Sequence, residues 1–330
     1  MINIHKNTLQ DLEFDSLLNQ VSEYCKTELG KTHLLETKPF TSRVKTTIAL
    51  NKVNEYLASF ENDNSIPNHG FSDISKALKL LAIENTFLEI QTFRSILSIS
   101  ETSNQLIKFF KKFHEYYPTL YDLSQEVEYT EDIITTIQSK INRFGEIRDD
   151  ASELLKKLRK SINRIRSKIN SSFTSALNAY SNSDYLDDIR ETVVENRRVL
   201  AVKAMYRRKV KGSILGSSKT GSIVYIEPEA TLQHHRDLNN LEYEEQEEIT
   251  RILKALTNTI RMYLPLLHQY QEYLTEIDTI SAKASYARSI NAVLPKLSKD
   301  KEMYLKDAYH PLLYVSNRER GVETFPQTLE

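Results

Sequence analysis

Tryptophan is absent from this 330-residue chain, cysteine occurs once, and glycine and proline number only seven and eight. Glycine stands at roughly a third of average usage and proline at roughly half. With so few residues suited to tight turns, β-sandwiches, propellers and glycine-rich nucleotide folds are excluded over most of the length. A mainly α fold with long helices is expected. The lone Cys25 has no partner for an internal disulfide and cannot build a cysteine metal site by itself. No run approaches the ~18 apolar residues of a membrane span. The opening MINIHKNTLQDLEF has no basic segment followed by an apolar run, so no secretory signal is expected and the chain reads as cytoplasmic. Charge of one sign is missing too: 44 Lys+Arg face 45 Asp+Glu, so any attraction to a polyanion has to be local.

What is present is 40% hydrophobic and 27% charged residues, a balance that supports folded cores. The length suggests two or three modules. Residues 1–130 read as a helical bundle. Helical spacing links Leu17, Leu18, Val21 and Tyr24, with Leu29-Gly30-Lys31 expected to stop that helix. Later starts are expected at Ser72-Asp73-Ile74 and across Leu88–Phe113, which Pro118 should end. Residues 131–184 read as one outgoing helix of nearly 50 residues, about 70 Å long. Its apolar positions Ala151, Leu154, Leu158, Ile162, Ile165, Ile169 and Phe173 repeat every 11, a seam that needs a partner helix.

Residues 185–228 change period. Ile189–Val194, Val199–Met205 and Ser222–Ile226 are short β-rich runs, and Gly212, Gly216 and Gly221 are expected to mark turns of a small antiparallel sheet. Residues 229–292 read as a returning helix opened by Pro228 and kinked at Pro265. The expected architecture is therefore a helical bundle with a long antiparallel two-helix arm ending in a β tip. In residues 293–330, Met303–Lys306 and Leu312–Val315 look β-like.

Charge is segregated along this path. Lys156, Lys157, Arg159, Lys160, Arg164, Arg166 and Lys168 form an acid-free cluster, while the returning helix opens with Glu242, Glu244, Glu245, Glu247 and Glu248. The expectation is that these two clusters pair across the arm, as flanking charges do in coiled coils. The cations around the tip have no acidic counterpart nearby in sequence. Arg197, Arg198, Lys203, Arg207, Arg208, Lys209, Lys211 and Lys219 are the candidate phosphate-contacting residues.

Other motifs do not carry chemistry. In Gly216-Ser-Ser-Lys-Thr-Gly221-Ser222 the Lys and Thr precede the second Gly and a strand follows, so it reads as a sheet turn and not as a phosphate loop. His234 and His235 point about 100° apart on a helix and read as surface histidines. The Glu244–Glu248 run lacks a convergent His or Asp, and Cys25 reads as a small core residue. No metal site and no catalytic residue is expected.

Several segments, in order along nearly the whole chain, resemble the bacterial MutS-like proteins of the second type. They are Leu12-Glu-Phe-Asp15, Leu29-Gly-Lys31, Gly212, Ser218-Lys-Thr-Gly221 with Ile226-Glu-Pro228, Glu244-Glu245, Glu248-Ile249, Arg251-Ile-Leu253, Asp278, Ala282-Lys-Ala284, Tyr286-Ala287 and His310-Pro-Leu-Leu313. The resemblance implies a helical core with levers, a clamp at the end of the helix pair, and a lead-in over 293–330 to an ABC-type ATPase whose Walker A lies beyond this chain. It implies that full-length relatives dimerise, use ATP and Mg, carry a C-terminal Smr nuclease module and lack the mismatch-reading domain. Phe87-Leu88-Glu89 matches the mismatch readers' Phe-x-Glu only by coincidence. The implied function is non-sequence-specific contact with duplex or branched DNA, in suppression of homologous recombination or in DNA repair. The alternative is a ribosome-binding module, touching ribosomal RNA, of a factor that splits collided ribosomes. Where relatives often carry a His-Asp pair, this tip has Leu215 and Gly216.

With no Walker A, metal cluster or nucleophile–base pair in the sequence, the 330-residue chain is expected to turn over neither ATP nor DNA. Release of inorganic phosphate or cleavage of a plasmid, scaling with the amount of chain and persisting through purification, would overturn this.

Overall fold

The computed structural model describes residues 6–298 and 302–329. Helices dominate, and the chain divides into two compact units, 1–138 with 256–330, and 139–255. In chain order the first unit opens with α1 (Lys6–Asp11), α2 (Phe14–Ser22), α3 (Glu28–Leu35), α4 (Arg43–Ala58), α5 (Ser75–Leu81), α6 (Ile90–Lys112), α7 (Pro118–Gln125) and α8 (Asp132–Gln138). The second holds α9 (Glu153–Tyr180), β1 (Leu186–Val194), β2 (Arg197–Lys203), β3 (Gly212–Ser217), β4 (Ile223–Pro228) and most of α10 (Glu229–Arg261). The first unit resumes in the last residues of α10 and continues with α11 (Leu264–Ser289), β5 (Leu305–Ala308), α12 (Pro311–Glu319) and β6 (Gln327–Leu329). Among the described residues no helix is long and apolar enough to cross a membrane.

The first unit is organised on α11, which packs against α2, α3, α4, α5 and α6. Its buried residues, among them Leu267, Tyr270, Leu274, Ile277, Ile280, Ala282 and Ala284, surround the axis instead of forming one stripe, as in a helix enclosed by others. On α6, Phe93, Ile96, Ile99, Leu106 and Phe110 recur at helical spacing and are fully buried. The Glu55 carboxylate of α4 accepts the Thr119 and Leu120 amides, each at 2.9 Å, closing the start of α7.

Asp278 fixes the other helix entrance. Fully buried on α11, it accepts the amides of Lys26 (2.9 Å) and Thr27 (3.0 Å) and the Thr27 hydroxyl (2.6 Å), while the His69 ring lies 3.7 Å away. Thr27 is the N-cap of α3, its hydroxyl accepting the Gly30 amide. Burial would raise the Asp278 carboxyl, but His69, Thr27 and the Lys26 amide outweigh it and hold the group below its ordinary value. Gly30 lies in the first turn of α3 and so does not end the preceding helix as expected: a Cβ there would run into the Asp278 carboxylate. Beside it, between α2 and α3, the half-buried Cys25 thiol is pushed up to about 12, by burial first and then by Asp278.

Three other expectations are corrected. Pro118 begins α7 instead of ending the preceding helix, because a first-turn position needs no N–H. Leu312–Val315 lies in α12, started by Pro311, and is not a strand. The 50-residue helix is two helices. Between α8 and α9 the Asn142 side chain accepts the Phe144 and Glu146 amides, Gly145 adopts φ 82°, and Ile141 bridges to Ile147. Ser152 then caps α9 through the Leu155 amide. With 28 residues, α9 is about 42 Å long. Its buried seam is Leu155, Leu158, Ile162, Ile169 and Phe173, with Leu154 exposed in place of its neighbour. The break expected at Pro265 is present, between α10 and α11.

Replacing Asp278 with Ala strands two amides and a hydroxyl, each costing about 1–3 kcal/mol when buried without a partner. Exchange of the Lys26 and Thr27 amides should accelerate at least tenfold, with a lowered urea midpoint. Because the folded pKa is depressed, this stabilisation is present above the unfolded carboxyl value near ~3.9 and is lost as pH falls through the folded one. The difference between wild type and variant should therefore shrink in acid; equal midpoints at pH 7 would remove Asp278 from this role.

Candidate nucleic-acid interface

The four strands form one antiparallel sheet in the order β1-β2-β4-β3. Glu195 and Asn196, both at positive φ, make the two-residue β1–β2 turn that suits a twisted hairpin. Three glycines serve three purposes. Gly221 turns β3 into β4 at φ 71°, whereas Gly212 and Gly216 lie within β3 and are not turns as expected. A Cβ on Gly212 would strike the Glu227 carbonyl oxygen of β4, and Gly216 stands at the bulge opposite Tyr225. The β-rich runs read from sequence missed β3 for this reason, since Gly-Ser-Ile-Leu-Gly-Ser carries little β signal.

Strand alternation sorts the sheet's side chains. Leu200, Val202, Val224 and Ile226 close a core with Phe173 of α9, Leu186 and Val210. Arg198 shares that face, its guanidinium 4.3 Å from the Phe173 ring centre and bonded to Glu191 at 2.6 Å. Arg197 and Glu227 fall on the other face, where Arg197 donates to the fully buried Glu227 carboxylate at 2.8 Å. His235 of α10 lies 3.5 Å from the same carboxylate. Burial lowers the His235 pKa, and Glu227 only partly offsets it. His235 is thus a half-buried partner of the sheet, not the surface residue expected. Sequence reasoning included Glu227 in Ile226-Glu-Pro228 and gave it no role; the available signal was its place one step out of register with Val224 and Ile226, as the first acid after residues 196–226.

The eight candidate cations therefore separate into two groups. Arg197, Arg198 and Lys203 have acidic partners, the last in Asp184 at 3.9 Å. These pairings correct the expectation of a tip without acidic counterparts. Arg207, Arg208, Lys209, Lys211 and Lys219 are exposed, and none has an ion pair among the described residues. The first four ride on the loop after a short 3-10 turn at Ala204–Tyr206, anchored by buried Val210 and by the Lys211 amide donating to the Tyr180 hydroxyl. Lys219 sits on the β3–β4 turn, which shares an end of the sheet with the start of that loop through the Ala204 amide and the Ser222 carbonyl. Since a strand follows this turn, Gly216–Ser222 does not fit the phosphates of ATP. Among the described residues no group of three or more His, Cys, Asp and Glu is placed to hold a metal.

On α9 the basic cluster is also divided. Arg159 bonds Glu245 at 2.7 Å and also Asp149, Arg166 bonds Glu242 at 2.8 Å, and Ser152 donates to Glu248. Pairing across to α10 holds for these two arginines. Lys156, Lys157, Lys160, Arg164 and Lys168 are exposed without an ion pair among the described residues, which corrects the expectation for the remainder.

No family model matches the chain. It is 30% identical over 316 residues to the Endonuclease MutS2 of Ligilactobacillus salivarius, which covers 94% of this chain and 40% of that protein. It is also 30% identical over 312 residues to the Endonuclease MutS2 of Agathobacter rectalis, and 30% over 313 residues to the Putative endonuclease MutS2 of Bacillus subtilis. The chain spans about 40% of the length of these relatives.

Phe173 is the one α9 residue buried in the sheet's core, with Leu177 and Tyr180 partly buried against it. Phe173→Ala should cost about 3–5 kcal/mol, as for other fully buried aromatics, and should free the Arg198 guanidinium. Loss of amide protection confined to β1–β4 is expected; protection unchanged there would mean that the sheet does not depend on Phe173.

Proposed function

From the premise that the chain is a MutS2 homologue along 94% of its length, we propose that it is the core and clamp region of a MutS-like protein and grips the phosphate backbone of DNA, duplex or branched, without reading bases. The observation that carries this reading is the acid-free stretch 196–226, in which five exposed cations stand on one loop and one turn of the sheet. Such contacts position a protein on a duplex and carry no sequence information. The three paired cations shape the sheet, so the contacting set narrows to Arg207, Arg208, Lys209, Lys211 and Lys219. The role we assign is in suppression of homologous recombination or in DNA repair, in the cytoplasm, by a homodimer of the longer protein. ATP, Mg and the endonuclease activity named for the relatives belong, in this proposal, to the part of those proteins that this chain does not span.

If about four tip cations meet phosphates, they contribute about −3.6 to the slope of log affinity against log salt, from roughly 0.9 per contact. Through these contacts alone, a rise from about 50 to about 200 mM salt weakens binding roughly 150-fold. Arg207→Ala, Arg208→Ala and Lys209→Ala together should weaken binding to all sequences alike and flatten the slope by up to about 2.7. The fold should persist, since such exposed changes usually cost within about 0.5 kcal/mol each. An unchanged slope would remove the tip from the interface. Tighter binding to ribosomes than to branched DNA at matched salt would replace DNA by the ribosome as the partner.

A further inference from the structure

The seven cations of α9 do not share one environment. At 100° per residue, Arg159 and Arg166 fall beside the buried seam and reach Glu245 and Glu242. Lys156, Lys160, Arg164 and Lys168 are spaced at i, i+4, i+8 and i+12, with Lys157 alongside, and they occupy the face opposite Leu155, Leu158, Ile162 and Ile169. Twelve residues of helix carry this row over about 18 Å.

The same face continues toward the sheet as Ser167, Ser171, Thr174, Ser175 and Asn178, and no Asp or Glu occurs between Glu153 and Asp184. We propose that this face of α9 is a second track for nucleic-acid backbone, fitted to the phosphates of a duplex. The clamp reading above supplies the ligand class, and the track rests on it to that extent.

Three observations select a duplex backbone over other polyanions. The row carries four cations at about 6 Å intervals with no acid among them, suiting a ligand that presents negative charge repeatedly along a line. Beyond it stand Thr174 and Asn178, whose hydroxyl and amide groups are of the kind that donate to phosphate oxygens, while Ser167, Ser171 and Ser175 donate to backbone carbonyls of the helix itself. The face presents no aromatic residue. Single strands are held by stacking on aromatic rings, and protein partners by buried aromatic anchors; the row offers neither. No ion pair joins the row to an acid among the described residues: Glu242, Glu245 and Glu248 engage Arg166, Arg159, Ser152 and Arg251, Glu247 engages Tyr243, and only Asp150, ahead of α9, feels the charge of Lys156 at the row's first position.

The test replaces Lys156, Lys160, Arg164 and Lys168 together by Gln, which keeps helix propensity near that of the native residues. Binding of the 330-residue chain to a 30-base-pair DNA duplex, and to an RNA duplex of equal length, is followed across a salt series. Circular dichroism verifies the helix content. The variant should bind at least tenfold more weakly at about 50 mM salt and show a slope shallower by about 3 to 4, from roughly 0.9 per phosphate. Arg166→Gln, whose cation is turned to Glu242, should leave the slope unchanged. DNA and RNA arms that weaken together support the backbone as ligand, and loss on one duplex alone assigns the track to that duplex. A folded quadruple variant with wild-type slope on both overturns the track, and if the tip triple variant still flattens the slope the tip reading survives that result. Loss in the quadruple variant beside an unaffected tip variant supports the track and overturns the tip. Binding of wild type to neither duplex overturns both.

Discussion

One buried carboxylate closes the first unit. Asp278 stands 252 residues from Lys26 and 251 from Thr27, and joins the start of α3 to the middle of α11. A helix N-terminus exposes unpaired N–H groups that burial makes costly, and an anion there also faces the favourable end of the helix dipole. Because α3 is only eight residues long, it has little stability of its own. Gly30 lets the carboxylate approach, Thr27 relays it into the first turn, and His69 lines its remaining side. α11 can then be buried over most of its circumference while its one buried acid remains satisfied.

The second unit depends on a different arrangement of the same kind. Phe173 at the end of a seam supplies the apolar contact, and Glu227 takes up the Arg197 charge on the opposite face of the sheet. A buried ion pair of this sort adds little net stability, but removing one partner alone leaves a stranded charge. The cations that make the sheet are thus distinct from those left to meet a ligand.

Much of the fold was legible because period and composition act locally. Long helical spacing, the β-rich runs and the break at Pro265 could be read directly, and the resemblance to MutS-like proteins extends along nearly the whole chain. What escaped depended on contacts far away in sequence. Gly30 looked like a helix stop, since nothing near it reveals Asp278. Gly212 looked like a turn, since only β4 explains its missing side chain. From Ile133 to Tyr180 the sequence has no Pro and Gly145 as its one Gly, which concealed a turn made by one Asn side chain and that glycine. Of the candidate cations, sequence supplied all eight and could not say which had partners, because Glu227 and Asp184 reach them only through strand pairing and the fold of the loop.

The Cys25 thiol, held at about 12, leaves the chain chemically quiet in a useful way. The thiolate is the reacting form, and at neutral pH its share is on the order of one in 10⁵ for such a group. With no tryptophan and no other cysteine, a thiol introduced at exposed Ser175 or Thr220 would carry nearly all the labelling, and an indole there nearly all the fluorescence excited beyond the absorption of the 18 tyrosines. The tip and the shaft can thus each bear a single reporter in an otherwise silent background.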